Sequence, residues 1–358
     1  MEFSVDYPRI LEDWWINVAL EQLGCNSLQE KEHQLQQSIQ GLSDRFTKER
    51  PALAEDYFAD PASLCAYGLF FFPQSYARTQ FVVQEILSRG WNHVGPVSIL
   101  DLGAGAGPAS FSAASLFDAA RITAIDRSPA ALSMMKRIAF ECSNLWPQLD
   151  YELHVDDLWR WIKKQDKKWD LILASFSLNE SGFSFEQATT ILANALTDRG
   201  MIIVIEPALQ STSETLEAWR DHIAQQQDLH IWGPCLHQDL CPLLKEGKFW
   251  CHEVRSWRSP ESLAFLNRHL YRQIHVLKFS FLTFGKQAPQ PLTSFSFRLI
   301  SPVSKKKKKL VFTGCTSEGT KKEFRMNYPL TNEGRNQIRK WERGDVVTSF
   351  PLNPERLS

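Results

Sequence analysis

The segment Leu100-Asp101-Leu102-Gly103-Ala104-Gly105-Ala106-Gly107-Pro108 constrains the fold of this chain more than any other. It follows a β-rich run, Val97 to Leu100, and precedes a helical stretch, Ala109 to Phe117. Small residues let the backbone turn sharply at a strand end and approach a ligand, while the next helix offers unpaired N–H groups. Further β-rich runs follow at Arg121–Ile125, Tyr151–Val155, Leu171–Ser175 and Met201–Ile205. Helical stretches separate them: Ser128-Pro129 is a serine cap with proline at the first helical position and opens a helix through Cys142, and Glu186–Leu196 and Thr212–Gln226 flank the last strand. This alternation predicts an α/β fold with a doubly wound parallel sheet. Lys278–Phe284 has the alternation of a closing edge strand.

A nicotinamide fingerprint would need a third glycine where Pro108 stands. The spacing of Gly103, Gly105 and Gly107 after an acidic strand end instead resembles the S-adenosylmethionine site of class I (Rossmann-like) methyltransferases. In such a site Asp101 would bind the amino-acid moiety and Asp126 both ribose hydroxyls, while Asp156 or Asp157 would meet the adenine amine. After the fourth strand, Ser175-Phe176-Ser177-Leu178-Asn179-Glu180 occupies the place of the methyl acceptor. Asn179 and Glu180 could orient an acceptor or a proton, or simply cap a helix. Neither the Asn-Pro-Pro-aromatic motif of amino-group enzymes nor the Pro-Cys or Thr-Cys nucleophile of cytosine-5 enzymes is present.

Composition and periodicity divide the chain into a helical module (1–95), the sheet domain (96–288) with a Cys-rich insertion (229–260), and a β-rich basic extension (289–358). The extension has β-rich runs at Ser294–Ile300, Leu310–Gly314 and Glu323–Tyr328. No apolar run reaches the roughly 20 residues that span a bilayer. The first residues lack a secretion signal and are not Arg-rich like a transit peptide, so a cytosolic, reducing compartment is expected; the chain is also expected to be monomeric. Net charge is −1, yet Arg298–Arg325 holds nine Lys or Arg against two Glu, including Lys305–Lys309. Such a stretch is either a phosphate-binding face or a solvated loop.

Of seven cysteines, Cys25, Cys65 and Cys142 lie among apolar or helical neighbours as inert small hydrophobes. Cys235, Cys241, Cys251 and Cys315 fall in loop-like sequence at spacings of 6, 10 and 64 residues, with no Cys-x-x-Cys pair. Four thiolates suit either zinc or an iron–sulfur cluster, and the wide spacing suits a cubane better than one ion. The pattern alone leaves cluster, zinc and no metal open. His237 and His252 are possible zinc ligands or outer donors.

From about 66 to 347 the chain resembles the small-ribosomal-subunit methyltransferase-like family of bacteria and mitochondria, linked to assembly of that subunit and to mitochondrial translation. The resemblance rests on Leu100–Gly107, Leu171–Glu180, Ile205-Glu206-Pro207, Gly233–Pro242, Trp250-Cys251-His252, Gly314-Cys315 and Trp341–Asp345. It implies S-adenosylmethionine at Gly103, Gly105 and Gly107, a [4Fe–4S] cluster on Cys235, Cys241, Cys251 and Cys315, and ribosomal RNA on the basic tail. The family's loop usually reads Gly-x-Gly-Pro-Gly; here Ala106 precedes the third glycine and Pro108 follows it. Expected functions are an enzyme acting on small-subunit ribosomal RNA, a non-catalytic iron–sulfur assembly factor that binds it, or a small-molecule methyltransferase. The expected compartment is the bacterial cytoplasm or, alternatively, the mitochondrial matrix.

Overall fold

Among the described residues, four α-helices precede the first strand: α1 (Arg9–Leu23), α2 (Glu32–Thr47), α3 (Pro61–Ala66) and α4 (Phe72–Ser88). A computed structural model describes residues 5–47, 57–178, 184–271, 273–292, 296–306, 309–327, 338 and 340–348. Asp60 caps α3 by accepting from the Ser63 N–H at 2.8 Å, with Pro61 at the first helical position. Between α3 and α4 the chain makes a π-helical turn, Tyr67–Phe71. A Cβ added at Gly68 in that turn would lie 2.0 Å from the Trp15 ring, so glycine lets α1 pack directly on the turn.

The expected alternation follows: β1 (Val97–Leu102), α5 (Pro108–Ala114), β2 (Ala120–Asp126), α6 (Pro129–Glu141), β3 (Leu149–Val155), α7 (Leu158–Ile162), β4 (Trp169–Ser175), α8 (Phe185–Asn194), β5 (Leu196–Pro207) and α9 (Gln210–Ala224). The Ser128 cap forms as the sequence predicts, accepting from Ala131 N–H at 3.0 Å. Period-2 burial splits each central strand between two cores. Ile99, Leu171, Leu173 and Ile203 join the helices of the N-terminal segment, and Leu100, Leu102, Ile172 and Val204 join the core beneath α7, α8 and α9.

The next stretch departs from expectation. Residues 229–260 contain β6 (His230–Gly233), α10 (Pro242–Glu246) and β7 (Glu253–Arg255); α11 (Glu261–Asn267) and β8 (Leu277–Gly285) follow. The sheet order is β3-β2-β1-β4-β5-β8-β6, with β7 also paired to β8. Strands β1 to β5 pair in parallel, while β8 runs antiparallel to β5 and β6. This reversed strand within a parallel sheet is the class I methyltransferase topology. The β8 segment is therefore not an edge strand. Lys278 is its one exposed position and both faces are otherwise covered, so the alternation in its sequence does not mark a solvent face.

The C-terminal residues form a second, antiparallel sheet from β9 (Phe297–Leu299), β10 (Ser304–Lys306), β11 (Lys309–Thr316), β12 (Lys321–Asn327) and β13 (Val346–Val347). Phe297, Phe312 and Phe324 stack in its core, with centroids 4.6–5.9 Å apart.

Candidate functional site: a glycine loop at the sheet switch point and a four-cysteine cavity

Strand order reverses between β1 and β4, and open α/β sheets bind ligands outside the carboxyl ends of the strands at such a point. The glycine loop leaves β1 there. Gly103, Gly105 and Gly107 have φ of 78°, 56° and 84°. A Cβ on Gly103 would lie 2.4 Å from the Ser177 Cβ, and one on Gly107 would lie 2.9 Å from Met135 and Phe111, so neither position accepts a side chain. Gly107 precedes α5, whose first residue is Pro108. The loop thus reaches a tight helix entry without the Gly-Pro-Gly order.

Two carboxylates border the loop. Asp126 Oδ2 accepts from the Gly105 N–H at 2.7 Å and Oδ1 from the Ser128 N–H at 2.8 Å, so this residue shapes the loop directly. Asp101 is 1% exposed. Its Oδ2 accepts from Ser110 Oγ at 2.6 Å, whereas Oδ1 is buried and meets no partner. Burial pushes the Asp101 carboxyl up to about 7, against the Ser110 hydrogen bond and with a smaller push from Asp126. Tyr67, from the π-helical turn, puts its hydroxyl 3.3 Å from where a Gly105 Cβ would stand. Asp156 and Asp157 both have protein partners. Asp156 accepts from Arg160 Nε at 2.7 Å, which holds its carboxyl below the usual range. Asp157 caps α7 through the Arg160 N–H at 2.9 Å. Asn179 and Glu180 lie outside the described residues.

Cys235, Cys241, Cys251 and Cys315 line one cavity of about 40 Å³. They reach it from the loop after β6, the N-terminus of α10, the approach to β7, and β11 of the second sheet. Burial raises the thiol pKa of Cys241, Cys251 and Cys315, and in each case Cys235 adds to the shift. His237 Nε2 lies 3.6 Å from Cys315 Sγ, while Arg220 faces its Nδ1 at 3.3 Å; burial then pushes the imidazole down to about 4. His252 also lines the cavity. Arg220 and Arg298 border it as cations. Among the described residues, no group of three or more His, Cys, Asp or Glu side chains is gathered closely enough to hold a single metal ion. Cys65 and Cys142 are buried, with thiols pushed up to about 12 and about 11, as small apolar residues would be.

Residues 61–345 match the family described as Mitochondrial small ribosomal subunit Rsm22. The chain belongs to this family. No curated protein matches it. Among solved structures it is similar to precorrin-6y C5,15-methyltransferase from Geobacter metallireducens, at 14% identity over 58% of this chain and 88% of that one, with a TM-score of 0.37. It is also similar to magnesium protoporphyrin IX methyltransferase from Synechocystis, crystallised with S-adenosylmethionine, at 14% identity over 70% and 97% of the two chains and a TM-score of 0.36.

In this Rsm22-family chain the basic stretch is not one face. Arg298 is 2% exposed and buried in ion pairs with Glu85 and Glu253, so it cannot meet a nucleic acid. Lys321 pairs with Glu246, Lys322 with Glu318 and Arg325 with Glu323. The exposed lysines among the described residues of the run are Lys305 and Lys306 on β10 and Lys309 on β11, where Lys306 and Lys309 are opposite in register. No helix among the described residues is long and apolar enough to cross a membrane.

Sequence reasoning missed three residues around the loop: Tyr67, Arg78 and Phe176. Arg78 is the one cation in α4, which was a readable signal. Phe176 carries none, because its distinction is a backbone angle.

Proposed function

We propose that this protein binds S-adenosylmethionine at the glycine loop and acts on the small ribosomal subunit as a methyltransferase-like protein that engages ribosomal RNA. The observation that carries the reading is the loop itself. Three positive-φ glycines at the switch point abut Asp101, whose buried Oδ1 lacks a donor that a ligand ammonium would supply. Asp126 holds the loop and stands at the end of β2, where it can also accept from a ribose. The donor, when bound, supplies an activated methyl group; the residues named here bind and orient it. The family description supports the ribosomal setting and favours the mitochondrial matrix over the bacterial cytoplasm.

Calorimetry of the full chain with S-adenosylmethionine, followed by transfer of labelled methyl to small-subunit particles, tests both parts. Absence of binding would overturn the nucleotide reading. Binding without transfer would select the assembly-factor reading, which the lack of either known acceptor motif after β4 supports. Turnover on a small molecule without RNA would select the third reading.

The exposed lysines support an interaction with phosphates. Replacing Lys305, Lys306 and Lys309 with glutamine should make binding to small-subunit RNA less salt-dependent, by up to about 0.9 in log–log slope for each duplex phosphate no longer neutralised. An unchanged slope would assign the run to a solvated hairpin.

The four cysteines fit a thiolate metal centre, and the family resemblance, not their geometry, favours an iron–sulfur cluster over a single zinc. All four line one cavity with adjacent guanidinium groups, which suit an anionic thiolate set. Protein purified without oxygen should carry about four irons and four sulfides per chain. One zinc and no sulfide would defeat this reading.

A further inference from the structure

Phe176 is the one non-glycine residue with positive φ among the described residues, at 62°. It directly follows β4, and its N–H donates to Ile205 O at 2.8 Å. A bulky residue held in this region stores strain, and such strain persists where surrounding structure enforces it, often at ligand sites. Its neighbour Ser177 donates to Leu102 O at 2.5 Å and packs against Gly103, which ties Phe176 to the nucleotide loop.

Over the Phe176 ring, 5.1 Å from its centroid, lies the guanidinium of Arg78 from α4. Arg78 is half-buried and pairs with no carboxylate among the described residues. Its Nη2 donates to Gln74 Oε1 at 2.9 Å, Gln74 in turn donates to Phe70 O at 2.7 Å in the π-helical turn, and Nε is buried without a partner. Burial pushes this guanidinium down to about 10. A desolvated cation without a counter-ion is costly unless an anion completes it.

Resting on the nucleotide reading above, we infer that Arg78, steadied on Phe176, is the anion-binding residue of the site and takes the carboxylate of the ligand's amino-acid end. Asp101 Oδ1 lacks a donor and Arg78 Nε lacks an acceptor; Asp101 lies two residues before Gly103, and Arg78 is joined to that glycine through Phe176 and Ser177. Together they match the two charges of an α-amino acid. A phosphate of an RNA acceptor has the same anionic chemistry, and the test separates the two sources.

The probes are S-adenosylhomocysteine, which keeps the amino-acid end, and 5′-methylthioadenosine, which lacks it. The full chain should prefer the first. Arg78→Met should weaken S-adenosylhomocysteine roughly 10- to 100-fold and leave 5′-methylthioadenosine unchanged, as expected from removing one charge-assisted hydrogen bond. Arg78→Lys should recover part of the preference. Equal weakening of both probes would mean that Arg78 only supports the fold. Unchanged binding of both, with weaker binding of small-subunit RNA, would move the anion to the acceptor and overturn the carboxylate assignment, as would no change at all. If wild type binds neither probe, the nucleotide reading fails, which is distinguishable from failure at Arg78.

Discussion

Replacing Arg298 with methionine is expected to lower stability by about 3–5 kcal/mol, the cost of breaking a buried ion pair from one side. Arg298 lies on β9 and reaches three parts of the molecule. Its Nη2 pairs with Glu85 on α4, Nη1 pairs with Glu253 on β7 at 3.1 Å, and its remaining donors reach Pro234 O and Gly344 O. Arg255 continues the network, 2.7 Å from Glu253 and 2.5 Å from Asp345. Glu85 and Glu253 are 4% and 2% exposed, so neither can recover hydration when the guanidinium is removed. The loss should appear as a lower urea midpoint at unchanged slope. Limited proteolysis should also release the second sheet, because Arg298 is a main polar tie between that sheet and the rest. The triple variant Arg298→Met, Glu85→Gln, Glu253→Gln should recover much of the loss, since no buried charge would then stand unpaired. A single variant as stable as wild type would mean that the network contributes nothing net.

The parts of this structure legible in the sequence are those set by local chemistry. Small residues at a strand end, the Ser128 cap and 3.6- or 2-residue periodicity depend on neighbours along the chain, and the elements from β1 to α9 followed. Strand order does not. Nothing within Leu277–Gly285 says that it enters between β5 and β6, and His230–Gly233 is too short and too near Pro234 and Cys235 to read as a strand. Charge counting also failed at Arg298. Its neighbours Phe297 and Leu299 face one core, so period 2 puts Arg298 on the opposite face of β9, which in an isolated sheet would meet water. Here that face packs on the methyltransferase-like domain. The same pairing explains how a cysteine 64 residues beyond Cys251 reaches the cavity: Cys315 lies opposite Arg298 in the β11–β9 register. The nucleotide loop was read from residue types, but the partnerless Oδ1 of Asp101 and Nε of Arg78 are visible only once the burial of each is known.

Replacing Asp101 with asparagine should stabilise the ligand-free protein at pH 8 and weaken S-adenosylmethionine roughly 10- to 100-fold. The two effects have one cause. Below about pH 4 the carboxyl is protonated in both folded and unfolded chains and carries no penalty. Between there and about 7 the unfolded chain releases its proton while the folded chain keeps it, so the folded state loses stability as pH rises. Above about 7 both states are ionised and the burial penalty is complete. Asparagine keeps an oxygen for the Ser110 hydroxyl and never ionises, so its advantage over wild type should be absent near pH 4 and largest at pH 8. The binding effect has the opposite sign. A ligand ammonium would meet a full negative charge at Oδ1 in wild type and a neutral amide in the variant. Wild-type affinity should therefore rise between pH 6 and 8 as Asp101 ionises, while that of Asp101→Asn stays flat across the same range. Thermal melts and calorimetry at matched pH measure both. A variant that binds as tightly as wild type at pH 8 would remove Asp101 from the ligand site, and one that gains no stability there would remove the buried charge as the reason for its cost.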